Sequence, residues 1–424
     1  MLHGHVVRTW RLPGIVGAAG FLGAAAVAGL ALAADAPQLT QAGRLAGQEI
    51  RIGAIVPSSG PFAEWGKTNT ITLKMLEDEV NKAGGVDGAK LKITIYDDAA
   101  RPAQAANLMR KLADDDQVLA VAGPLTSSAV EVAFPVANQA KLPATSQASS
   151  KPGVAALNRP WGFRNTIDEG VLARATVPYL KSAYKVASVA IVYDAKDAVS
   201  TSIAKGVMPA VMKAEGIKIL NEDSPVSFNT GDIDVSAQIT AIKALNPDAL
   251  VIGADYSQAI TIIREMKRQG FVKPVIGGTP LISSAILKAA ADLPIVAPAT
   301  FYAGMKGDSV AKFSASLTPP LRKGAGLPAE IEPSMYDANI YEIVNMYLDA
   351  VRKAGVTGKP ADLAADREKI MKDLTDLKGF RGFSGPISFN KDGDAIKPFF
   401  VVLGKDGRWT EMVRGCSAPD GKSC

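Results

Sequence analysis

The sequence predicts an α/β fold in two lobes, each a parallel sheet covered by helices, and three observations carry that expectation. Short apolar runs alternate with helix-length amphipathic stretches from residue 49 to about 276, the βαβα order of parallel sheets. Several of those runs are apolar at consecutive positions, as strands buried on both faces are. About 390 residues remain once an expected leader is set aside, more than a single core usually serves. In such sheets ligand sites lie beyond the carboxyl ends of strands, so the loops that follow strands are where function is sought.

The leader comes first. His3, His5, Arg8 and Arg11 precede an uncharged apolar run over residues 15–32, which ends in Ala31-Leu-Ala33, a small-x-small cleavage pattern. Residues 1–33 therefore read as a secretory signal. A retained membrane anchor is the competing reading, because the run approaches spanning length. Its Gly and Ala content and the absence of a following basic stop-transfer cluster favour removal. No cysteine lies near the cleavage point, which excludes a lipoprotein; the mature chain is expected to be free in the periplasm.

Removing the leader removes His3 and His5, the only histidines. Ser-His-Asp and Cys-His catalysis and His-ligated zinc are thereby excluded, and no catalytic residue, metal or cofactor is expected. The leader carries two of the 47 basic residues and none of the 42 acidic ones, so a formal charge of +3 remains. Such near balance argues against nucleic acid or a membrane surface as partner. Cys416 and Cys424, both in the tail, are placed to close a small loop around Pro419-Asp-Gly421.

The elements follow in order. Residues 49–56 alternate and then run apolar, a buried strand, and the loop 57–66 follows it. A helix over 68–82 carries Ile71, Met75, Leu76 and Val80 and stops at Ala83-Gly-Gly85. Strand 91–96, helix 102–115, strand 118–122, helix 127–140 and strand 142–145 continue the alternation. Helix 168–184, strand 186–193, helix 201–214, strand 217–221 and helix 233–245 follow, then strand 249–252, helix 258–269 and strand 274–276. Beyond a strand-like stretch at 296–302 come long helices at 335–354 and 362–377. A hairpin-like end spans 385–390, a turn at Asp392-Gly393, and 396–403.

One stretch organises the rest. Residues 118–122 read as a buried strand that stops at Gly123-Pro124 and restarts as a helix behind Thr126, Ser127 and Ser128. A helix start presents unpaired N–H groups and a positive dipole end, so these hydroxyls suit either an ordinary N-cap or a small anion. Other candidates weaken on inspection. Gly66-Lys-Thr68 lacks the glycine a phosphate-binding loop needs at position 61, where Pro61 stands, and Gly421-Lys-Ser423 fails in the same way. Asp97-Asp98 reads as a turn cap sooner than as an acid-base pair, and Asp114-Asp-Asp116 as a solvated helix end.

Several loops together resemble the leucine-binding type of periplasmic binding protein, the substrate-binding proteins of branched-chain amino acid ABC transporters. The pieces are Ile52-Gly-Ala-Ile-Val-Pro57, Gly60-Pro-Phe-Ala-Glu-Trp-Gly66, Asn81-Lys-Ala-Gly-Gly-Val86 and Tyr96-Asp-Asp98. Gly123-Pro-Leu-Thr-Ser-Ser128, Phe163-Arg164 with Asp168-Glu-Gly170, and Gly382-Phe-Ser-Gly-Pro386 with Phe389 extend the likeness over residues 50 to about 410.

The resemblance implies two Rossmann-like lobes with parallel sheets flanked by helices, joined by three hinge crossings, the type I periplasmic binding protein plan. Lobe 1 would be residues 50–167 plus 298–395, lobe 2 residues 168–297 plus 396–415, and 416–424 a tail. It implies a periplasmic receptor, a monomer, that passes a small carboxylate, by default an amino acid, to an inner-membrane ABC permease and its ATPase. The carboxylate contacts fall on Ser127, with Ser128 beside it, and on Ser149 or Ser150 in Ala144-Thr-Ser-Gln-Ala-Ser-Ser150. Trp65 falls at an aromatic wall.

The far side departs from the amino-acid pattern. Thr279 stands where a glutamate would pair with the ligand ammonium, and Ala198 where an aromatic is usual; Asp255 is the carboxylate available instead. If Asp255 reaches the amine the ligand is an amino acid, and otherwise an aromatic or aliphatic acid without an amine fits better. A sensor that reports to a membrane receptor is the third possibility.

Overall fold

The computed structural model describes residues 43–291 and 293–424. The expected leader over residues 1–33 lies outside them. The first sheet contains β1 (Glu49–Val56), β2 (Lys90–Asp97), β3 (Ala120–Ala122), β4 (Ala144–Ser146) and β5 (Gly162–Arg164). Their order is β2-β1-β3-β4-β5 and every pairing is parallel. Helices α1 (Ala63–Lys82), α2 (Pro102–Asp114) and α3 (Ser127–Gln139) connect the first four strands.

Residues 52–56 of β1 are all buried, because helices cover both faces of the sheet. Ile50, Ile52 and Ala54 pack with Leu73 and Leu76 of α1, whereas Ile55 points the other way onto Met109 and Leu112 of α2. The period of two along the strand thus feeds two separate cores.

The chain crosses over after β5 into α4 (Glu169–Tyr184) and builds a second sheet. Its parallel part comprises β6 (Ser188–Asp194), β7 (Lys218–Ile219), β8 (Val226–Phe228), β9 (Ala249–Gly253), β10 (Val275–Gly277) and β11 (Ile295–Ala299). Between these strands run α5 (Ala198–Ser202), α6 (Met208–Ala214), α7 (Ser236–Leu245), α8 (Tyr256–Arg268) and α9 (Ser284–Ala290).

A second crossing leads back to α10 (Asp308–Arg322), α11 (Met335–Lys353) and α12 (Leu363–Thr375), followed by a small antiparallel ribbon of β12 (Phe380–Arg381), β13 (Pro386–Phe389) and β14 (Ala395–Ile396). Ile340, Ile343 and Tyr347 of α11 join the core of the first sheet, and the Tyr347 hydroxyl donates to the Val121 carbonyl at 2.7 Å. A third crossing at Lys397 returns the chain to the second sheet, where β15 (Pro398–Lys405) and β16 (Arg408–Cys416) add antiparallel beside β11.

The expected helix over 201–214 is divided. α5 ends at Ser202, a π-helical turn occupies Ile203–Val207, and α6 resumes at Met208. Pro209 has no N–H for the Lys205 carbonyl four residues earlier, which breaks the α ladder there. β5, β8, α9, α10, β12 and β16 have no counterpart in the sequence reading. α10 carries Pro319 and Pro320, which read as breakers although they sit in its last turn.

All three crossings meet at one buried cluster on α11. Asn165, from the first, donates through Nδ2 to Glu342 Oε2 at 2.8 Å and to the Asn339 carbonyl. Thr300, from the second, donates to Asn339 Oδ1 at 3.3 Å. Lys397, from the third, is fully buried and reaches Glu342 Oε2 at 2.9 Å and Asn339 Oδ1 at 3.1 Å. The tail abuts this crossing: Cys416 and Cys424 form a disulfide, and Ser417 Oγ accepts the Lys397 N–H at 2.9 Å.

Candidate ligand-binding site

The loop after β3 turns because Gly123 adopts φ +111°, and a Cβ there would stand 2.2 Å from the Ile55 carbonyl oxygen. α3 follows, and its three hydroxyls divide the work. Thr126 is the N-cap, its side chain accepting from the Ala129 N–H at 3.3 Å. Ser127, 1 % exposed, accepts from the Ser149 hydroxyl at 3.0 Å, so the loops after β3 and β4 are joined at their tips. Ser146 reinforces the joint by donating to the Pro124 carbonyl at 2.7 Å and accepting from the Ser149 N–H. Ser128 instead accepts the Ala198 N–H at 3.3 Å across the cleft.

Two aspartates face this loop from the second sheet. Asp255 ends the loop after β9 and caps α8, taking the Ser257 and Gln258 N–H groups on Oδ1 at 2.6 and 3.4 Å. Burial pushes its carboxyl up to about 6, and the neighbouring Asp197 adds to the shift. Asp197 caps α5 through the Ser200 N–H and hydroxyl, and burial raises its pKa as well. Both caps explain locally why the sequence places Asp before a helix; their proximity to one another does not serve capping.

Trp65, on α1, is 3 % exposed and closes the space with Phe62, Tyr256 and Tyr336, whose ring centroids lie 5.8, 5.0 and 4.7 Å from its own. Its indole Nε1–H is buried with no acceptor among the described residues. The Tyr256 hydroxyl also faces the Glu64 carboxylate across the cleft, and burial raises the pKa of both groups. Phe62, Trp65, Thr126, Ser127, Asp197 and Asp255 line one cavity of about 20 Å³, space for roughly one water. A ligand larger than that enters only if the two sides part.

Ser150 and Thr279 are engaged differently from the sequence expectation. Both donate to Glu169 Oε1, at 2.8 and 2.6 Å, and the Thr279 N–H adds a third bond at 2.9 Å. Gly278 makes the approach feasible, since a Cβ there would lie 2.7 Å from Glu169 Oε2. The Tyr336 hydroxyl lies near Thr279 from the first-sheet side, and burial raises its pKa. Glu169 is buried, and burial raises its pKa in spite of these donors.

The structure thus brings Trp65, Ser127 and Asp255 to one cavity, places Ser149 behind Ser127, sets Ser128 against α5, and commits Ser150 and Thr279 to Glu169. Glu169, Asp197, Phe62 and Tyr336 were not singled out in the sequence. An acid before or at the start of a helix that follows a strand was the available signal for the first two, and it signals capping far more often.

Asp97 and Asp98 are caps, Oδ1 of each accepting a loop N–H at 2.8 and 3.0 Å. Among the described residues no group of His, Cys, Asp and Glu is disposed to hold a metal, and no helix is long and apolar enough to cross a membrane.

Residues 49–408 match the profile of a family described as periplasmic binding protein. The chain is 26 % identical over 355 residues to the Leu/Ile/Val-binding protein homolog 3 of Brucella melitensis, covering 84 % of this chain and 91 % of that one. Its fold is similar to that of the branched-chain amino acid transporter substrate binding protein LivJ of Streptococcus pneumoniae in complex with isoleucine. The TM-score is 0.74 at 24 % identity, over 87 % of this chain and all of that one. It is equally similar, at TM-score 0.74 and 20 % identity over 88 % and 98 % of the two chains, to a solute binding protein of an ABC transporter from Rhodopseudomonas palustris in complex with 3,4-dihydroxybenzoic acid.

Proposed function

The chain belongs to the periplasmic binding protein family, and from that premise we propose that it captures a free α-amino acid between its lobes for import. The observation that carries the reading is that Ser127 and the pair Asp255 and Asp197 line the same cavity from opposite sides. An α-amino acid holds its two charges one carbon apart. Its carboxylate suits the N-terminus of α3 with the Ser127 and Ser149 hydroxyls, and its ammonium suits the two aspartates. Among the described residues no lysine or arginine lines that cavity, so there an acid without an amine would meet two carboxylates and nothing to offset them.

The two sheets support lobes of residues 50–167 plus 298–395 and 168–297 plus 396–415, closing about the three crossings. The leader supports export to the periplasm, and an inner-membrane permease with its ATPase would receive the ligand. The second reading, an aromatic carboxylic acid, draws on the rings of Phe62, Trp65, Tyr256 and Tyr336.

Thermal-shift screening of the twenty L-amino acids against benzoate and 4-hydroxybenzoate separates the two. A bound ligand at a hundredfold excess over Kd stabilises by about 2.7 kcal/mol. The pH dependence has opposite signs. An ammonium pairs with ionised Asp255, so amino-acid affinity is full above pH 6 and is lost as pH falls through about 6. An acid without an amine is repelled by that charge, so its affinity rises over the same interval. Stabilisation by the aromatic acids alone removes the amino-acid reading.

A further inference from the structure

We propose that a basic pocket at the mouth of the cleft is a second subsite, one that holds an anionic group at the far end of the ligand side chain. The ligands would then be acidic α-amino acids. The inference rests on the amino-acid reading above and goes on to name the side-chain class.

The inner cavity, about 20 Å³, is walled by the rings of Phe62, Trp65 and Tyr336 and leaves no space there for a side chain. A far larger cavity, about 460 Å³, abuts it. The two meet along Ser127 and Ser128 on one side and along Asp197, Ala198 and Val199 on the other, and Asp197 lines both. A ligand whose ammonium lies at Asp197 and whose carboxylate lies at Ser127 would therefore turn its side chain toward the outer pocket, past the small Ala198, once the 3.3 Å contact of Ser128 with the Ala198 N–H parts.

The outer pocket suits an anion. Lys151, Lys196 and Lys205 line it together with Ser128 and Thr201, and among the described residues Asp197 is its single carboxylate. Lys151 is already paired with Glu131. Lys196 and Lys205 make no ion pair among the described residues; the Lys205 ammonium lies 5.3 Å from the Tyr193 ring centroid. Lys205 projects from the π-helical turn Ile203–Val207, an irregular segment of the kind found at functional sites. A neutral aliphatic side chain placed here would meet ammonium groups and hydroxyls, whereas a carboxylate would meet two uncommitted cations and hydroxyl donors.

Isothermal titration of the full mature chain with L-glutamate, L-glutamine and glutarate at low ionic strength tests the inference. L-Glutamate should bind about tenfold tighter than L-glutamine, and the advantage should shrink with added salt. In the variant Lys196→Ala/Lys205→Ala the L-glutamine affinity should stay as it was while the L-glutamate advantage disappears. L-Glutamine binding as tightly as L-glutamate, or an advantage that survives in the double variant, overturns the second subsite and leaves the amino-acid reading standing. If neither amino acid binds, the second subsite is overturned and the amino-acid reading is decided by the screen of the twenty L-amino acids; if glutarate matches L-glutamate, the amino-acid reading itself fails and the inference goes with it.

Discussion

On the amino-acid reading, Asp255 would carry both stability and function. As an N-cap it satisfies two backbone N–H groups of α8; as a buried carboxylate beside Asp197 it is held at a pKa near 6. Asparagine caps as well as aspartate and carries no charge to desolvate. Asp255→Asn should therefore leave the melting temperature of the ligand-free protein unchanged or raised, as differential scanning calorimetry would record. Amino-acid affinity should fall by about 3 kcal/mol or more, because an ammonium loses its charged partner in a low-dielectric site. A cap alone was legible in the sequence. The adjacency of Asp197 was not, because 58 residues separate two caps that only the second sheet brings together.

At the scale of elements, the turn from β3 into α3 was the most legible part of the chain, since Gly123-Pro124 between an apolar run and three hydroxyls admits few other structures. Its geometry leaves little tolerance. Gly123→Ala places a methyl group against the Ile55 carbonyl at a backbone angle alanine resists, and urea denaturation should register a loss of about 3 kcal/mol or more. Strands β1, β9 and β10 were equally plain as short apolar runs. The helix expected at 201–214 was misread as continuous because its apolar spacing persists through Pro209. β16 was missed because it is an edge strand, exposed at most positions, whose polar residues give no alternation to read.

For the whole molecule, the two sheets are joined by crossings that share one anchor on α11. Lys397 and Glu342 are an ion pair with almost no exposure, and Asn165, Asn339 and Thr300 complete their hydrogen bonds. Removing one partner strands the other, so Lys397→Met should destabilise the protein by about 3 to 5 kcal/mol in urea, with Lys397→Met/Glu342→Gln recovering part of the loss. None of this network was legible in advance, since its members come from four segments and each looks like an ordinary polar residue.

Contacts that span the cleft are Ser150 with Glu169, Thr279 with Ser150, Ser128 with the Ala198 N–H, and the approach of Tyr256 to Glu64. On the proposed function, the ligand would enter when those contacts part and be held when they form again. The most direct measurement is calorimetric titration at pH 7.5 with the L-amino acid that gives the largest thermal shift, set beside its des-amino counterpart. The account predicts at least about a hundredfold weaker binding for the acid without the amine, close to 2.7 kcal/mol. Equal affinity for the two would contradict it.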